Sequence, residues 1–529
     1  MNYLNDIQET PSDIILPGEV LNRSGGAAFP VDCWTRFQRF LILGNEGGTY
    51  YARQQELTVD ALASIDECVA TDPLRAVGLV REISLEGRAP KQDPALFALA
   101  ILASSSEPKA RKAALKAMPD ICRTGSTFLQ WVGIVDKLRG WGAGLVNACA
   151  DWYTRKEDQA LAYQILKYRQ RAGWSHRDVL RKCHPEAKTS VQNAIFNFIA
   201  QDKIHESLPG MIHAYHDVWK DSDDKHPPHI GHTNLIGDYR LSMDMLPNGW
   251  QTSPKAWEAI FPHQPLGNLI RNLATMTRVG LLDPMSPLVP QVIHRITSSI
   301  GLAKARIHPF QALIAGLTYG EGKSIRGSAT WEPTQAIVHA LNDMFYLSFK
   351  NVKPINKRIV IAVDMSASMT WDTLGTPGLT SCIAAASLAM QIARTESQYI
   401  ILGFNQGISV LDINPSMSLA QVARTIQGGG GTDCSLPMVW ADANKIQADA
   451  FIILTDNETN YGAVHPHQAV QGYRQRINPD MKLAVVAMTA DKFSIADPND
   501  SGMLDIVGFD ANLPSILREF IITPQYSPF

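Results

Sequence analysis

Cysteine is scarce and scattered. Seven residues stand at 33, 68, 122, 149, 183, 382 and 434, and no CxxC pair occurs. That odd number at wide spacing excludes a disulfide scaffold and a cysteine zinc site, and leaves buried reduced thiols. No run of 18 apolar residues exists, so no transmembrane helix is expected. The opening MNYLNDIQETPSDIILPGEV is acidic, lacks an apolar core and does not read as a signal peptide. The cytoplasm is the compartment this implies. A surplus of either charge is also missing: 48 Lys+Arg meet 51 Asp+Glu over 529 residues, for a formal net charge of −3. This excludes a uniformly basic nucleic-acid coat. With 45% hydrophobic residues, the chain has ample material for a large core, and disorder is excluded as its main state.

The near-neutral total joins two different regions. Residues 351–529 hold 11 Lys+Arg and 16 Asp+Glu, whereas residues 1–350 hold 37 and 35 and carry 12 of the 14 histidines. Residues 1–30 read as a loose leader. From 31 to 350 convincing strands are scarce. Amphipathic stretches at 58–70, 73–86, 94–104, 107–118, 127–138, 158–171, 176–183, 189–201 and 204–219 are separated by Gly, Pro and Asp. Paired helices without strands suggest a HEAT-like or armadillo-like solenoid, with a plain bundle as the alternative. The polar, His-rich stretch 220–256 reads as a long loop or insertion.

Near 355 the texture changes. Short β-branched runs at 358–364, 398–404, 450–456 and 482–488 alternate with helical patterns at 378–396, 418–427, 436–447 and 466–476. This predicts a doubly wound α/β domain over 355–529, its parallel sheet covered on both faces. Ligands bind such sheets at the carboxyl ends of strands. Three polar clusters fall there: Asp364-Met365-Ser366-Ala367-Ser368, Gly428 to Asp433, and Thr455-Asp456-Asn457-Glu458. Asp364, Ser366, Ser368, Thr432 and Asp456 supply hard oxygens suited to an octahedral divalent cation that keeps some waters. Mg²⁺ is the expected occupant, with Mn²⁺ as the alternative. DxSxS alone is weak, because Asp-x-Ser often only caps a helix; the ordered combination is far more specific. Asp433 and Glu458 read as capping or supporting groups, and no nucleophile stands with a base and an orienting partner. The Gly-Lys-Ser at 322–324 is a false phosphate loop: Leu317 stands where the first glycine is needed, and Gly327 and Pro333 deny the following helix.

The first region has one sharp feature, KYRQRAGWSHRDVLRKCH at 167–184. Lys167, Arg169, Arg171, Arg177, Arg181 and Lys182 stand there with His176 and His184, opposed only by Asp178. Tyr168 and Trp174 lie among them. On a helix Arg177, Arg181 and His184 would form a stripe. Arginine forks suit phosphates and aromatics stack on unpaired bases, while a solvated helix face with Trp174 as core anchor is the bland reading of equal weight. Further candidates are Arg36 and Arg39, and Arg271 and Arg278 in PLGNLIRNLATMTR.

Three segments, RFLILGNEGGTYY (39–51), KYRQRAGWSH (167–176) and PLGNLIRNL (265–273), resemble the signatures of the TROVE-module (Ro60) family. GGTDCSLPM (430–438) and TDNETN (455–460) resemble its A domain, and the five metal-site residues match the metal-ion-dependent adhesion site of von Willebrand factor A domains. The resemblance, to a bacterial member above all, implies a ring of HEAT-like repeats whose ends the A domain joins. It implies binding of small noncoding Y RNA on the outer surface, with single-stranded 3′ ends of misfolded or structured RNA entering the central hole. It further implies a monomeric RNA quality-control and stress-response scaffold, not itself a nuclease, tethered through Y RNA to an exoribonuclease such as polynucleotide phosphorylase. The family's Y-RNA surface carries over to Lys167, Arg171, His176, Arg177 and His184; Arg169, Arg181 and Arg271 complete the candidate set. Stretch 220–256 does not match the family pattern. The alternatives are a metal-dependent protein-binding adaptor acting through the A domain and, more weakly, a metal-dependent hydrolase.

Overall fold

The computed structural model describes residues 20–21, 27–28, 33–44, 49–51, 63–89, 91–222, 226–324, 328–366, 369, 372–373, 378–455, 464–488, 495–497 and 500–523. From Cys33 to Ser348 helices stack in sequence order. Pro73–Glu86 packs on Pro108–Ile121, Asp93–Ser104 on both Pro108–Ile121 and Gly125–Leu138, and Ala143–Thr154 on Pro108–Ile121 and His176–Cys183. Each helix buries a face against near neighbours in the chain, which is the HEAT-like arrangement. Local chemistry fixes the helix ends. Asp72 accepts from the amides of Leu74 and Arg75, and Thr124 forms a reciprocal cap with Thr127. Asp93–Ser104 is apolar around its whole circumference, with nine of its twelve residues buried, so it lies inside the array.

Three expectations change here. The helix expected over 158–171 stops at Lys167, and residues 170–175 turn back as a hairpin of Gln170–Arg171 against Trp174–Ser175. Ala143–Thr154 is a helix that the periodicity did not separate from its neighbours. The stretch 220–256 is no loop: it holds the helix Ile230–Asp238 and 3-10 turns at Met243–Met245 and Asn248–Thr252. Leu241, Met245, Leu246 and Trp250 anchor it in the core. Its polar majority hid these few anchors.

The α/β domain is built on a seven-stranded sheet in the order Thr49–Tyr51, Met503–Val507, Lys482–Ala487, Ala450–Thr455, Ile359–Asp364, Tyr399–Phe404, Ile408–Val410. All pairs are parallel except the last. Alternation along each strand divides its residues between two cores. Val360, Ala362, Phe451 and Ile453 face Met438, Val470 and Tyr473 on one side. Ile359, Ile361 and Val363 face Leu388 and Ile392 on the other, in a core that continues without a break into helical residues from Trp257 to Phe349. A separate core runs from Phe37 to Ile260. The later half of the array and the sheet therefore form one packed body.

The start of the chain reaches the same domain. Thr49–Tyr51 pairs in parallel with Asp505–Val507. Arg39, buried, donates from Nη2 to the carbonyls of Asp500 (2.7 Å) and Met503 (3.3 Å). Arg88 pairs with Glu519 at 2.9 Å. At the other end of the array Tyr346 accepts the Leu419 amide at 3.1 Å. Both ends of the helical array meet one α/β domain, and the array is a ring.

Arg39→Met keeps the stem volume and removes the donors to two buried carbonyls, which costs about 2 kcal/mol locally. Native-state hydrogen exchange checks this: the amides of 49–51 and 503–507 should exchange roughly thirtyfold faster, with the strands at 359–364 and 450–455 unchanged.

Candidate nucleic-acid interface and metal centre

The hairpin that replaces the end of the expected helix is held by backbone and packing. Ala172 and Gly173 both have positive φ, +51° and +81°, as a primed two-residue turn requires. It lies on the helix Gly125–Leu138 at Gly133, where a Cβ would stand 3.2 Å from the Ala172 carbonyl oxygen, a tight contact that the absence of a side chain relieves. Trp174 is half-buried against Trp141, ring centroids 5.5 Å apart. Ser175 then caps His176–Cys183 in a reciprocal pair with Asp178, and Ser175 and the neighbouring Arg177 and Arg181 hold the Asp178 carboxyl below its usual range, the Ser175 hydroxyl foremost.

The cations divide by environment. The side chains of Arg171, Arg181, Lys182 and His184 are exposed, and among the described residues none of them makes an ion pair or hydrogen bond. Lys167 is half-buried, donates to the Tyr163 hydroxyl at 3.0 Å and lies over the Tyr163 and Tyr168 rings. Arg169 donates to the Tyr215 hydroxyl at 2.6 Å, with its guanidinium over Tyr215 and Trp219. Arg177 pairs with Asp202 and donates from Nε to the Ile199 carbonyl at 3.1 Å. The predicted stripe of 177, 181 and 184 is thus broken. Arg177 is neutralised, and His184 leaves the helix as a left-handed cap at φ +40°.

His176 is corrected outright as a surface contact. It is 3% exposed, its Nδ1 shares a hydrogen bond with the Tyr153 hydroxyl at 2.9 Å, and Trp152 and Phe128 stack beside it at 5.8 and 6.4 Å. A ring so deep does not reach a phosphate on the surface. Burial pushes it down to about 3, against a backbone hydrogen bond at Tyr168 that favours the proton. Arg271 is exposed on Leu266–Arg278, whose Leu269 and Leu273 belong to the second core; it does not join the 167–184 surface. Arg39 is the buried clamp described above, and Arg36 pairs with Glu67. Sequence reasoning missed Tyr215, Trp219 and Asp202. The first two stand at helical spacing four, a signal visible only once Gly210–Lys220 is placed beside the hairpin.

At the A-domain edge, Asp364 ends its strand and is 1% exposed. Its Oδ1 accepts the Ser366 amide at 2.8 Å; its Oδ2 accepts the hydroxyls of Thr455 at 2.9 Å and Thr432 at 3.4 Å. Chain order reverses between strands Ile359–Asp364 and Ala450–Thr455, so these groups meet at the topological switch point. Thr455 was missed as a member, although it ends the strand beside that of Asp364. The glycine loop approaches closely: a Cβ on Gly428 would stand 2.7 Å from the Met365 carbonyl oxygen. Asp433 caps Ser435, accepting its amide at 2.9 Å and hydroxyl at 2.6 Å. Ser368, Asp456 and Glu458 lie outside the described residues. Among the described residues no three His, Cys, Asp or Glu side chains gather as metal ligands. One carboxylate among three hydroxyl groups fits a hard divalent cation that keeps waters, and does not fit zinc or copper.

Residues 358–521 match the family model of the Ro60 vWA domain, and residues 20–227 and 242–317 that of the TROVE domain. The RNA-binding protein RO60 of Deinococcus radiodurans is 37% identical over 98% of this chain and 98% of its own length. That of Caenorhabditis elegans is 32% identical over 95% of this chain and 90% of its own. The crystal structure of the Deinococcus radiodurans RO (RSR) protein superposes with a TM-score of 0.85 at 37% identity, covering 93% of this chain and 99% of that one.

His176 gives the helical array a defined acid response. Unfolded, the ring titrates near 6.5; folded, it stays neutral to about 3. The unfolded chain holds the extra proton between those values, so stability falls as pH drops from 6.5 toward 3, by up to about 1.4 kcal/mol per unit. His308, buried and pushed down to about 4, adds in the same direction. His176→Gln should flatten the fall in urea midpoint between pH 6.5 and 5, leaving the His308 part.

Proposed function

Since the chain belongs to the Ro60 family, a TROVE domain followed by a Ro60-type von Willebrand factor A domain, we propose that it is an RNA-binding scaffold of a small noncoding-RNA ribonucleoprotein. Its partners are Y RNA on the outer surface of the ring and single-stranded 3′ ends of misfolded or structured RNA in the central hole. Its role is RNA quality control and stress response in the cytoplasm, as a monomer tethered by Y RNA to an exoribonuclease such as polynucleotide phosphorylase, and not as a catalyst itself. The observation that carries the reading is the set of exposed cations Arg171, Arg181 and Lys182, with the exposed His184 beside them, on the hairpin and the helix that follows it. Such groups meet phosphates without first breaking a protein contact. Lys167, Arg169 and Arg177 support the face through partners of their own, and Arg271 serves the second half of the ring.

Binding of this kind follows counterion release, in which log affinity falls per phosphate contact and decade of salt by about 0.9 for duplex DNA and about 0.7 for single strands. In a filter-binding salt series Arg171→Ala with Arg181→Ala should lower the slope by about 2 and weaken all RNAs together. Flat binding from low to physiological salt in the unaltered chain would sink the reading.

A second reading rests on the Asp364 site: with Mg²⁺ held by Asp364, Ser366, Ser368, Thr432 and Asp456, the incompletely neutralised ion would accept a carboxylate from a protein partner. At ten times its Kd, Mg²⁺ should stabilise the chain by about 1.4 kcal/mol and raise the midpoint of thermal unfolding. Asp364→Asn should abolish that shift, and EDTA should reproduce the loss; a midpoint indifferent to Mg²⁺ would remove the ion from the account.

A further inference from the structure

A cavity of about 430 Å³ opens beside the hairpin, between it and the helices Ser190–Gln201 and Gly210–Lys220. Its size falls in the range of small-molecule pockets, about 300–1,000 Å³, which is room for one nucleotide and not for a peptide helix. The inner wall joins the apolar side chains of Leu166, Phe198 and Ile199 to the buried ring of His176. The rim is polar and already ordered. Arg169 is tied to the Tyr215 hydroxyl, and Arg177 to Asp202 and the Ile199 carbonyl. Asp202 is held by backbone as well: it is a left-handed cap at φ +55° whose amide donates to the Phe198 carbonyl at 2.8 Å.

We infer that this cavity takes a single unpaired nucleobase of the bound RNA, preferring a base whose Watson–Crick edge can donate to Asp202. The inference rests on the RNA face proposed above and adds a readout to it. A phosphate is the poorer occupant, because the Asp202 carboxylate lines the cavity and both arginines there are engaged. The unengaged cations lie outside, at Arg171, Arg181 and Lys182, where they meet the backbone on either side of an extruded base. Apolar walls and aromatic rings suit a base face, and a carboxylate accepts from the N1–H and amino group of guanine. An abasic position offers neither. A uracil offers one donor where guanine offers two.

The test uses the full chain and fluorescence anisotropy at one fixed salt concentration. The probes are one RNA stem-loop in four forms: fully paired, or with a single extra unpaired guanine, uracil or abasic nucleotide in the stem. Guanine should bind about tenfold more tightly than the abasic form, the effect of one well-made hydrogen bond to a charged group. Asp202→Asn keeps a residue type that tolerates the left-handed conformation. Tyr215→Phe keeps the ring and removes the hydroxyl. Each should bring the ratio to about twofold or less, with the paired stem held within about threefold of the unaltered chain. Equal binding of the guanine and abasic stems overturns the inference, as does a tenfold ratio that survives both substitutions. Arg171→Ala with Arg181→Ala separates the two levels. If it weakens every stem while the pocket substitutions change nothing, the cavity is wrong and the RNA face stands; if it weakens none, the face itself fails and the cavity with it.

Discussion

Everything else in this molecule depends on closure of the helical array against one sheet. The closing contact is small: a three-residue strand, Thr49–Tyr51, added in parallel to Met503–Val507, and one buried arginine, Arg39, reaching two carbonyls of the same region. It joins residues more than 450 positions apart, so it bears the loop-closure entropy of nearly the whole chain. What makes that tolerable is that the other end of the array is already part of the sheet's core. The helices from Trp257 to Phe349 share apolar packing with Ile359, Ile361 and Val363, and Phe310 packs on Phe509 at 5.0 Å. The A domain is thus anchored to the later half of the array by contacts that do not involve the first residues, and the closing strand adds its pairing to Met503–Val507.

A ring held in this way fixes its outer surface, and electrostatics then decides what the surface can do. The near-zero net charge is partitioned twice: first between the halves of the chain, and again within the 167–184 segment. There Arg177 is matched by Asp202 and Arg169 by Tyr215, whereas Arg171, Arg181 and Lys182 are left unneutralised. Exposed ion pairs contribute little to stability. Leaving three cations unpaired therefore costs the fold almost nothing and reserves their charge for a ligand. The rigidity beneath them comes from neutral groups, namely the Tyr153–His176 hydrogen bond and the Phe128–Trp152 stack at 4.2 Å.

The α/β half was the more legible from sequence. Its main strands are short, continuous apolar runs, Ile359–Asp364 ending in a carboxylate, and the polar clusters after them fall at the sheet edge where Asp364, Ser366 and Thr432 meet. What escaped was non-local. Thr49–Tyr51 lies far from its partner strand, and Met503–Val507 carries Asp505 in the middle of its run. In the helical half, period located nine helices between 58 and 219, but not Ala143–Thr154, whose small residues blur the amphipathic pattern, nor Cys33–Leu43 and the helices from Ile230 to Ser348, nor the buried Trp250 and Met245 inside a polar stretch. The basic cluster was read correctly as a cluster and wrongly as a helix face. The positive φ at Ala172, a residue without glycine's freedom, is dictated by docking on Gly133, and no local pattern announces it. His176 failed for a related reason: a histidine among arginines looks like a surface group until the core beneath it is known.

The two candidate sites obey different physics, and this bears on how one molecule could serve both. The proposed RNA face would work through exposed charge, with its strength set by ionic strength and barely by metal. The Asp364 site works through one buried carboxylate whose two oxygens are engaged by Ser366, Thr455 and Thr432, so an ion entering there must compete with hydrogen bonds already made. A weakly compensated ion is thereby favoured over a tightly caged one, which keeps its charge available to a partner's carboxylate. The sites also share little structure. One rests on the first core and the other on the second; those cores adjoin within the helix Pro254–Ile260, whose Ala256 and Ile260 belong to the first and Trp257 to the second, and the closure at Arg39 and the added strand is a further link. With the two sites on different cores and no residue in common, binding at one is expected to be close to independent of binding at the other.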